Sequence, residues 1–498
     1  MARVVVVGAG MGGMAVAARL AVKGHDVTVV EQSSTYGGKV GHLSRDGFVF
    51  DTGPSLLTLP AVYRDLFNKT GKPIESEIEL VEPEPGFGYR FADGTRIDMP
   101  GVDPGRCADA IAGVLGPQAG QEWRRFIQRA GAIWQVTRGP FLESALTGMR
   151  DLIPLARNVS SVRTVAPYTT LRRLGHHYLS DDRLRMLLDR YATYTGSDPR
   201  RAPAALATVP YIEQTFGVYH VAGGLHLLAR ALYQRTLDRG VRYRFGADVE
   251  QVLVEGGRAA GVRLRDGQLL PSDVVVSDAD ASRLYGELLI DRRAAAVSRR
   301  LHRADPSLSG FVLLLAVRGR TPGLRHHNVW FPQDYDAELD AVFGARAHPV
   351  DDPTVYVCAP DDPTMRPDAE HESWFVLVNA PRHSPTPLRG AIDWDVPGLA
   401  STYRDRILTV MAARGYDVRD RLLWSVVRTP ADLERETRAP GGAIYGTSSN
   451  GPRAAFLRPA NASVVPGLFL VGGSAHPGGG LPLVGMSADI VATLIGRA

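Results

Sequence analysis

The sequence predicts a mixed α/β fold in which an open, Rossmann-like sheet is assembled from separated parts of the chain. Two observations carry the prediction: a complete strand–turn–helix–strand unit at residues 4–31, and a second strand, glycine-rich loop and helix at residues 468–497. A third stretch, a helix and a series of short β-like runs at 223–278, supplies the middle of the pattern.

The first unit opens on the apolar, β-branched run Val4 to Val7, which leads into Gly8-Ala9-Gly10-Met11-Gly12-Gly13. An apolar helical stretch follows, then a β-like run from Asp26 to Val30 that ends at Glu31. Each glycine has a job in such a unit: Gly8 permits the tight turn, Gly10 lets backbone approach a pyrophosphate, and Gly13 lets the helix lie close to the sheet. Free N–H groups and the positive dipole end of the helix face the phosphates. Glu31 lies 18 residues past Gly13, where its carboxylate can accept from adenosine ribose hydroxyls and disfavours the extra phosphate of NADP.

The pattern continues past the acid. Gly37-Gly38-Lys39 offers a second close backbone approach with a cation beside it. Asp51-Thr52-Gly53-Pro54 follows the apolar run Phe48-Val49-Phe50. The added glycine pair points to FAD rather than NAD, the competing reading being a surface turn.

Length and composition fit a large globular enzyme of two or three subdomains: 498 residues, 44% hydrophobic and 22% charged. The 57 basic residues are balanced by 53 acidic ones for a net charge of +4, with no sustained basic block, so nucleic acid is not expected as a partner. The two cysteines, Cys107 and Cys358, form no disulfide framework and suit a reducing cytoplasm. The N-terminal apolar run carries the glycine motif and lacks a basic leader, and no uncharged run is long enough for a membrane span.

Between the landmarks, Tyr89 to Met99 reads as a hairpin turning at Asp93-Gly94. Residues 103–210 are mainly helical, interrupted at Pro140, Pro154, Pro167 and Pro203. Gly223-Gly224-Leu225 opens a helix to about Arg239, followed by strands at Val241–Phe245, Ala247–Val254, Ala260–Arg265 and Val274–Asp278, with a turn at Asp266-Gly267. Gly310–Arg318, Val355–Cys358 and Trp374–Val378 read as strands, and the stretch 321–372, rich in Pro, Asp and His, otherwise reads as loops. His326, His327 and His371 are expected at the surface, and no metal is expected, because no second ligand pair appears at a zinc-like spacing. At the C-terminus Leu468 to Val471 leads into Gly472-Gly473-Ser474-Ala475-His476-Pro477-Gly478-Gly479-Gly480, with Leu481 to Val484 preceding a helix to Arg497. Such a loop and helix can aim a positive dipole at the flavin edge where negative charge develops on reduction.

The matching pieces VVVVGAGMGGMAVAARL, YGGK, FDTGPSLLT and LFLVGGSAHPGGGLPLV, with GGLHLLARAL between them, resemble the bacterial phytoene desaturase family of FAD-dependent carotenoid desaturases, within the flavin amine oxidase superfamily. The likeness runs the length of the chain in order and is strongest at its two ends. It implies a p-hydroxybenzoate hydroxylase-type fold: a discontinuous FAD domain at 1–77, 215–300 and 426–498, a substrate domain at 78–102 and 301–425, and a helical, membrane-associating part at 103–214. Motif and resemblance together assign FAD contacts to Gly8, Gly10, Gly12, Gly13, Glu31, Gly38, Lys39, Asp51, Thr52, Gly53, Val249, Gly472, Gly473, Leu483 and Val484, with the backbone near Val249 meeting the adenine. They imply a cytoplasmic, peripherally membrane-bound enzyme that oxidises a carotenoid or related polyene, with oxygen or a quinone as final acceptor. GGK, DTGP and His476-Pro477 look closer to the later-acting desaturases of hydroxylated or methoxylated carotenoids.

The implied chemistry is hydride transfer from an allylic C–H to flavin N5 in a dry apolar tunnel. No base is identifiable; His476 is a candidate by position, against a plain hydrogen-bonded loop residue. Asp51 contacts cofactor or substrate, or only caps a turn. Trp134, Tyr211, Phe216 and Tyr219 are candidate tunnel aromatics, or plain core. Arg150 to Tyr178 mixes apolar residues (Leu152, Ile153, Leu155, Val162, Val165) with arginines (Arg157, Arg163, Arg172, Arg173), a composition suited to a headgroup layer or to a solvated surface. Two alternatives stay open: a flavin oxidase or isomerase of a non-carotenoid polyene or an amine, the amine case predicting a substrate-domain lysine although none follows Lys72, and a non-catalytic FAD-binding escort for prenyl lipids.

Overall fold

The computed structural model describes residues 1–146, 151, 153, 158–451, 454 and 458–498. Its first sheet has five strands, all parallel, in the spatial order Arg242–Arg244, Asp26–Val30, Arg3–Val7, Val274–Ser277 and Leu468–Leu470. The valines that fill its central strands are β-branched and suit a sheet buried on both faces. Alternation along Arg3–Val7 sorts them: Val4 and Val6 join one core, Val5 and Val7 another. Helices Met11–Val22, His226–Asp238 and Leu481–Ile495 contribute to the first core. The antiparallel strands Val249–Glu255, Arg258–Leu264 and Leu269–Pro271 form a three-stranded sheet, and the first two contribute to the second core. The expected turn at Asp266-Gly267 is present, with Gly267 N donating to Leu264 O.

A second sheet has seven strands in the order Leu422–Arg428, Ser309–Arg318, His371–Ala380, Val355–Cys358, His327–Trp330, Phe87–Arg90 and Arg96–Met99. All neighbours are antiparallel except His327–Trp330 with Phe87–Arg90. Period two again divides two cores: Phe311, Leu313, Leu315 and Val317 pack with Tyr403 and Ile407 of helix Leu399–Ala413, while Val312, Leu314 and Ala316 share a core with Trp123, Phe126, Leu187 and Tyr191 of a helical layer. That layer includes helices Pro104–Leu115, Pro117–Thr137, Val159–Val165, Leu171–Tyr178, Asp182–Thr193 and Thr208–Phe216. Pro154, Arg150, Leu152, Leu155 and Arg157 lie outside the described residues. Among the described residues no helix is long and apolar enough to cross a membrane.

Three expectations need correcting. The stretch 321–372 holds the buried strand His327–Trp330 and helix Tyr335–Phe343, whose start is capped by Asp334 accepting from Asp336 N and Ala337 N. His327 is fully buried rather than exposed, because it lies on that strand opposite Cys358, and burial holds its pKa well below the usual range. His326, His327 and Cys358 bring their ligand atoms within 4.8 Å of one another across the ladder, a grouping hidden in the linear spacing. Finally, Leu422–Arg428 is one unbroken strand laddered to Ser309–Arg318, so a boundary between residues 425 and 426 cuts through it.

Candidate active site

The N-terminal glycines close on one another. A Cβ on Gly13 would sit 2.1 Å from Gly8 O, so only glycine lets the helix start this near the strand end. Gly37 N donates to Ala9 O at 2.9 Å, and a Cβ on Gly38 would lie 3.2 Å from Gly10 Cα. The second glycine pair is therefore packed against the first rather than being a surface turn. Glu31 accepts from Ala9 N and Ser33 N, both at 2.8 Å, which fixes its carboxylate at the end of its strand.

Asp278, which no sequence motif singles out, stands inside this cradle. It follows the strand Val274–Ser277, and its Oδ2 accepts from Gly13 N at 2.9 Å. A Cβ on Gly10, Gly12 or Gly472 would come within 2.5, 2.6 or 2.1 Å of its carboxylate oxygens. Burial, with the Glu31 charge adding, pushes its pKa up to about 7. The only linear signal was an acid following a valine-rich strand.

The C-terminal loop is held from beneath. Arg458 is buried and donates to the carbonyls of Tyr445 and Gly473 at 2.9 and 2.7 Å and of Thr447 at 2.7 Å; burial lowers its pKa to about 10. Asn461 Nδ2 donates to Leu470 O, His476 O and Ser487 Oγ, joining strand, loop and helix Leu481–Ile495. Lys39 Nζ donates to Ala443 O at 3.1 Å and Ile444 O at 2.7 Å, and burial lowers its pKa.

These parts line one cavity of about 1620 Å³. It runs from the glycine loops, past Tyr445 and the C-terminal loop, to Val312, Phe375 and Leu377 of the second sheet and Leu206, Val209 and Ile212 of the helical layer. A single small-molecule site occupies about 300–1,000 Å³, so this space suits two ligands. Gly8, Gly10, Gly12, Glu31, Gly38, Lys39, Thr52, Gly53, Val249, Gly473, Leu483 and Val484 are among its lining residues. Gly13 and Gly472 lie behind that wall, closed by Gly8 O and the Asp278 carboxylate. Asp51 faces away from it and accepts from Leu225 N and His226 N at 2.7 and 3.0 Å, at the start of helix His226–Asp238. His476 also stands off the wall. It is 2% exposed, its Nε2 lies 3.0 Å from Ser144 O, and burial lowers its pKa to about 4. Trp134, Tyr211 and Phe216 pack on one another instead of lining the cavity, and Tyr219 lies in strand Val218–Val221. The aromatic rings on the wall are Phe141, Tyr168, Tyr194, Tyr356, Phe375 and Tyr445.

Residues 11–329 match the family described as flavin containing amine oxidoreductase. The chain belongs to this family. Within it, the chain is similar to proteins named as enzymes of carotenoids. It is 37% identical to the hydroxyneurosporene desaturase of Rubrivivax gelatinosus, covering 98% of this chain and 92% of that one. It is 32% identical to the 4,4'-diapolycopene oxygenase of a Methylomonas species (98% and 97%) and 31% identical to the zeta-carotene-forming phytoene desaturase of Myxococcus xanthus (98% and 93%). A solved putrescine oxidase superposes with a TM-score of 0.66 at 14% identity over 100% of this chain and 99% of that one, which shows the shared flavoprotein fold.

The protein is thus an FAD-dependent oxidoreductase of the carotenoid desaturase type. Its residues fit FAD. The glycine loops pack on one another and on Asp278 too tightly for a Cβ, which leaves bare backbone at the wall, and the N-termini of helices Met11–Val22 and Leu481–Ile495 both reach the cavity. Two positive dipole ends at one cavity favour an anionic ligand.

Proposed function

We propose that the chain dehydrogenates a long polyene of the carotenoid class, at a late step on a hydroxylated or methoxylated substrate. The carrying observation is the single cavity that joins the glycine cradle to apolar walls of the second sheet and the helical layer. Bound FAD supplies the hydride acceptor for an allylic C–H. Gly8, Gly10, Gly12, Glu31, Gly38, Thr52, Gly53, Val249, Gly473, Leu483 and Val484 are assigned to holding it, while Gly13 and Gly472 let the wall behind them close. Lys39 acts at one remove, fixing the 443–444 carbonyls, and Asp51 orders the helix that follows it. The apolar wall orients the chain and excludes water, and burying it stabilises the complex by about 25 cal/mol per Å². The domain division is proposed as drawn from the sequence, with the last boundary moved beyond Arg428.

The enzyme is further proposed to take its substrate at a membrane surface through the segment around Tyr168, and to pass electrons on to oxygen or a quinone. The deciding experiment is anaerobic titration of the holoenzyme with acyclic polyenes. Bleaching of the oxidised flavin, with a red-shifted product of longer conjugation, is expected. A flavin that stays oxidised with every polyene while an amine reduces it overturns the reading.

A further inference from the structure

Between the apolar walls of the helical layer and the second sheet, the cavity carries two charged side chains that a hydrocarbon cannot use. Helices Asp182–Thr193 and Thr208–Phe216 bring Arg190 and Glu213 to its wall, each 5% exposed. Neither forms an ion pair with any described residue. Arg190 Nη2 donates to Tyr194 Oη at 3.2 Å, and the guanidinium lies 4.5 Å from the centre of that ring. Its Nη1 is buried and has no hydrogen-bond partner among the described residues. Glu213 Oε1 accepts from Tyr191 Oη at 2.5 Å. Burial pushes the Glu213 carboxyl up to about 7. Around them the wall is Leu206, Val209, Ile212, Tyr356 and Phe375.

The two groups feel each other's charge but make no close ion pair, and a buried guanidinium N–H left unpartnered this deep is unfavourable unless something answers it. A packed core would carry apolar side chains at both positions. The missing partner must accept from a guanidinium and donate to a carboxylate. An aliphatic hydroxyl does both; an ether only accepts; a hydrocarbon end does neither.

Resting on the polyene reading above, we propose that Arg190 and Glu213 form a subsite for the oxygen-bearing end of the substrate. Arg190 donates to the hydroxyl oxygen, and Glu213 accepts its proton in a hydrogen bond. The subsite sets specificity and register: anchoring one end of a long, featureless chain decides which carbon stands at the cofactor.

The test uses the purified holoenzyme and three acyclic polyenes that differ at one end: a hydroxyl, its methyl ether and the hydrocarbon. Turnover with an added quinone as electron acceptor gives KM and kcat for each, and anaerobic flavin reduction without it reports the hydride step alone. A hydrogen bond to a charged group corresponds to roughly ten- to a hundredfold in affinity, so the alcohol is expected to exceed the hydrocarbon by at least about tenfold in kcat/KM. Arg190→Met removes the advantage of alcohol and ether over the hydrocarbon, chiefly in KM. Glu213→Leu reduces the alcohol alone. Arg190→Lys, which keeps a cation and donors, restores part of the advantage, and FAD absorbance confirms that each variant is loaded. Equal use of alcohol and hydrocarbon by the parent enzyme, or equal loss on all three substrates in the variants, overturns the subsite and leaves the polyene reading standing. Flavin reduced by none of the three overturns both.

Discussion

At the scale of single residues, Asp278 is the group whose chemistry conflicts most directly with the cofactor. Its carboxylate holds Gly13 N–H, one of the amides at the start of the first helix that a phosphate also seeks. Glu31 raises its pKa and Lys39 lowers it, but burial dominates and leaves the group near 7. An ionised carboxylate in that place repels a pyrophosphate; the neutral acid does not. FAD binding should therefore be linked to proton uptake. The sign follows from a folded pKa raised above the ordinary carboxylate value: the penalty is present above about pH 7 and relieved as pH falls through it. FAD affinity, measured by quenching of its fluorescence, is expected to tighten from about pH 8 to about pH 6, by at most about tenfold per unit. Asp278→Asn should bind more tightly at the alkaline end and lose most of that slope. An unchanged slope in the variant would place the titration elsewhere.

Among the elements, the short helix Val159–Val165 has two faces with different roles. It is started by Asn158, whose Oδ1 accepts from Ser161 N at 3.1 Å, and it ends at Ala166 in a left-handed conformation. Inward, Ser161, Val162 and Val165, with Pro167 beyond, line the cavity. Outward, Val159 is 65% exposed, and Tyr168, which touches the cavity rim after the helix, is 86% exposed. Apolar side chains that face water at the mouth of an apolar cavity fit a lipid surface. Val159→Asp with Tyr168→Asp is expected to lower partitioning onto anionic liposomes at least about tenfold, judged by flotation, with FAD content unchanged. Undiminished flotation would move the membrane contact to another face. The same scale shows what was legible in the sequence. Gly8, Gly13, Gly37 and Gly38 could be read because close approach leaves one residue type possible at each. Helix Tyr335–Phe343 was obscured by the Pro- and Asp-rich flanks, although Asp334 was its capping signal. Asp278, Arg458, Arg190 and Glu213 were not legible, since each acquires its meaning from partners or a cavity wall brought together only by the fold.

At the scale of the whole molecule, one cavity is walled by residues drawn from both ends and the middle of the chain, within 7–59, 137–213, 247–312, 354–379 and 428–484. A ligand in it touches parts that would otherwise be joined by sheet edges and loops. Binding to the folded state alone adds stability by mass action, about 2.7 kcal/mol at a hundredfold excess over Kd. Because the first sheet takes a central strand from residues 3–7 and an edge strand from 468–470, it is complete only when the C-terminal strand is in place. Apoprotein followed by calorimetry with rising FAD should therefore show the transition of the first sheet moving upward in temperature. If the second sheet and helical layer unfold with it, sharing the cavity wall, one transition shifts as a unit. Hydrogen exchange should then slow in strand Arg3–Val7, strand Leu468–Leu470 and helix Asp182–Thr193 together. Protection limited to the first sheet, with a second transition indifferent to FAD, would mean that the cofactor organises only its own domain and that the polyene must order the rest.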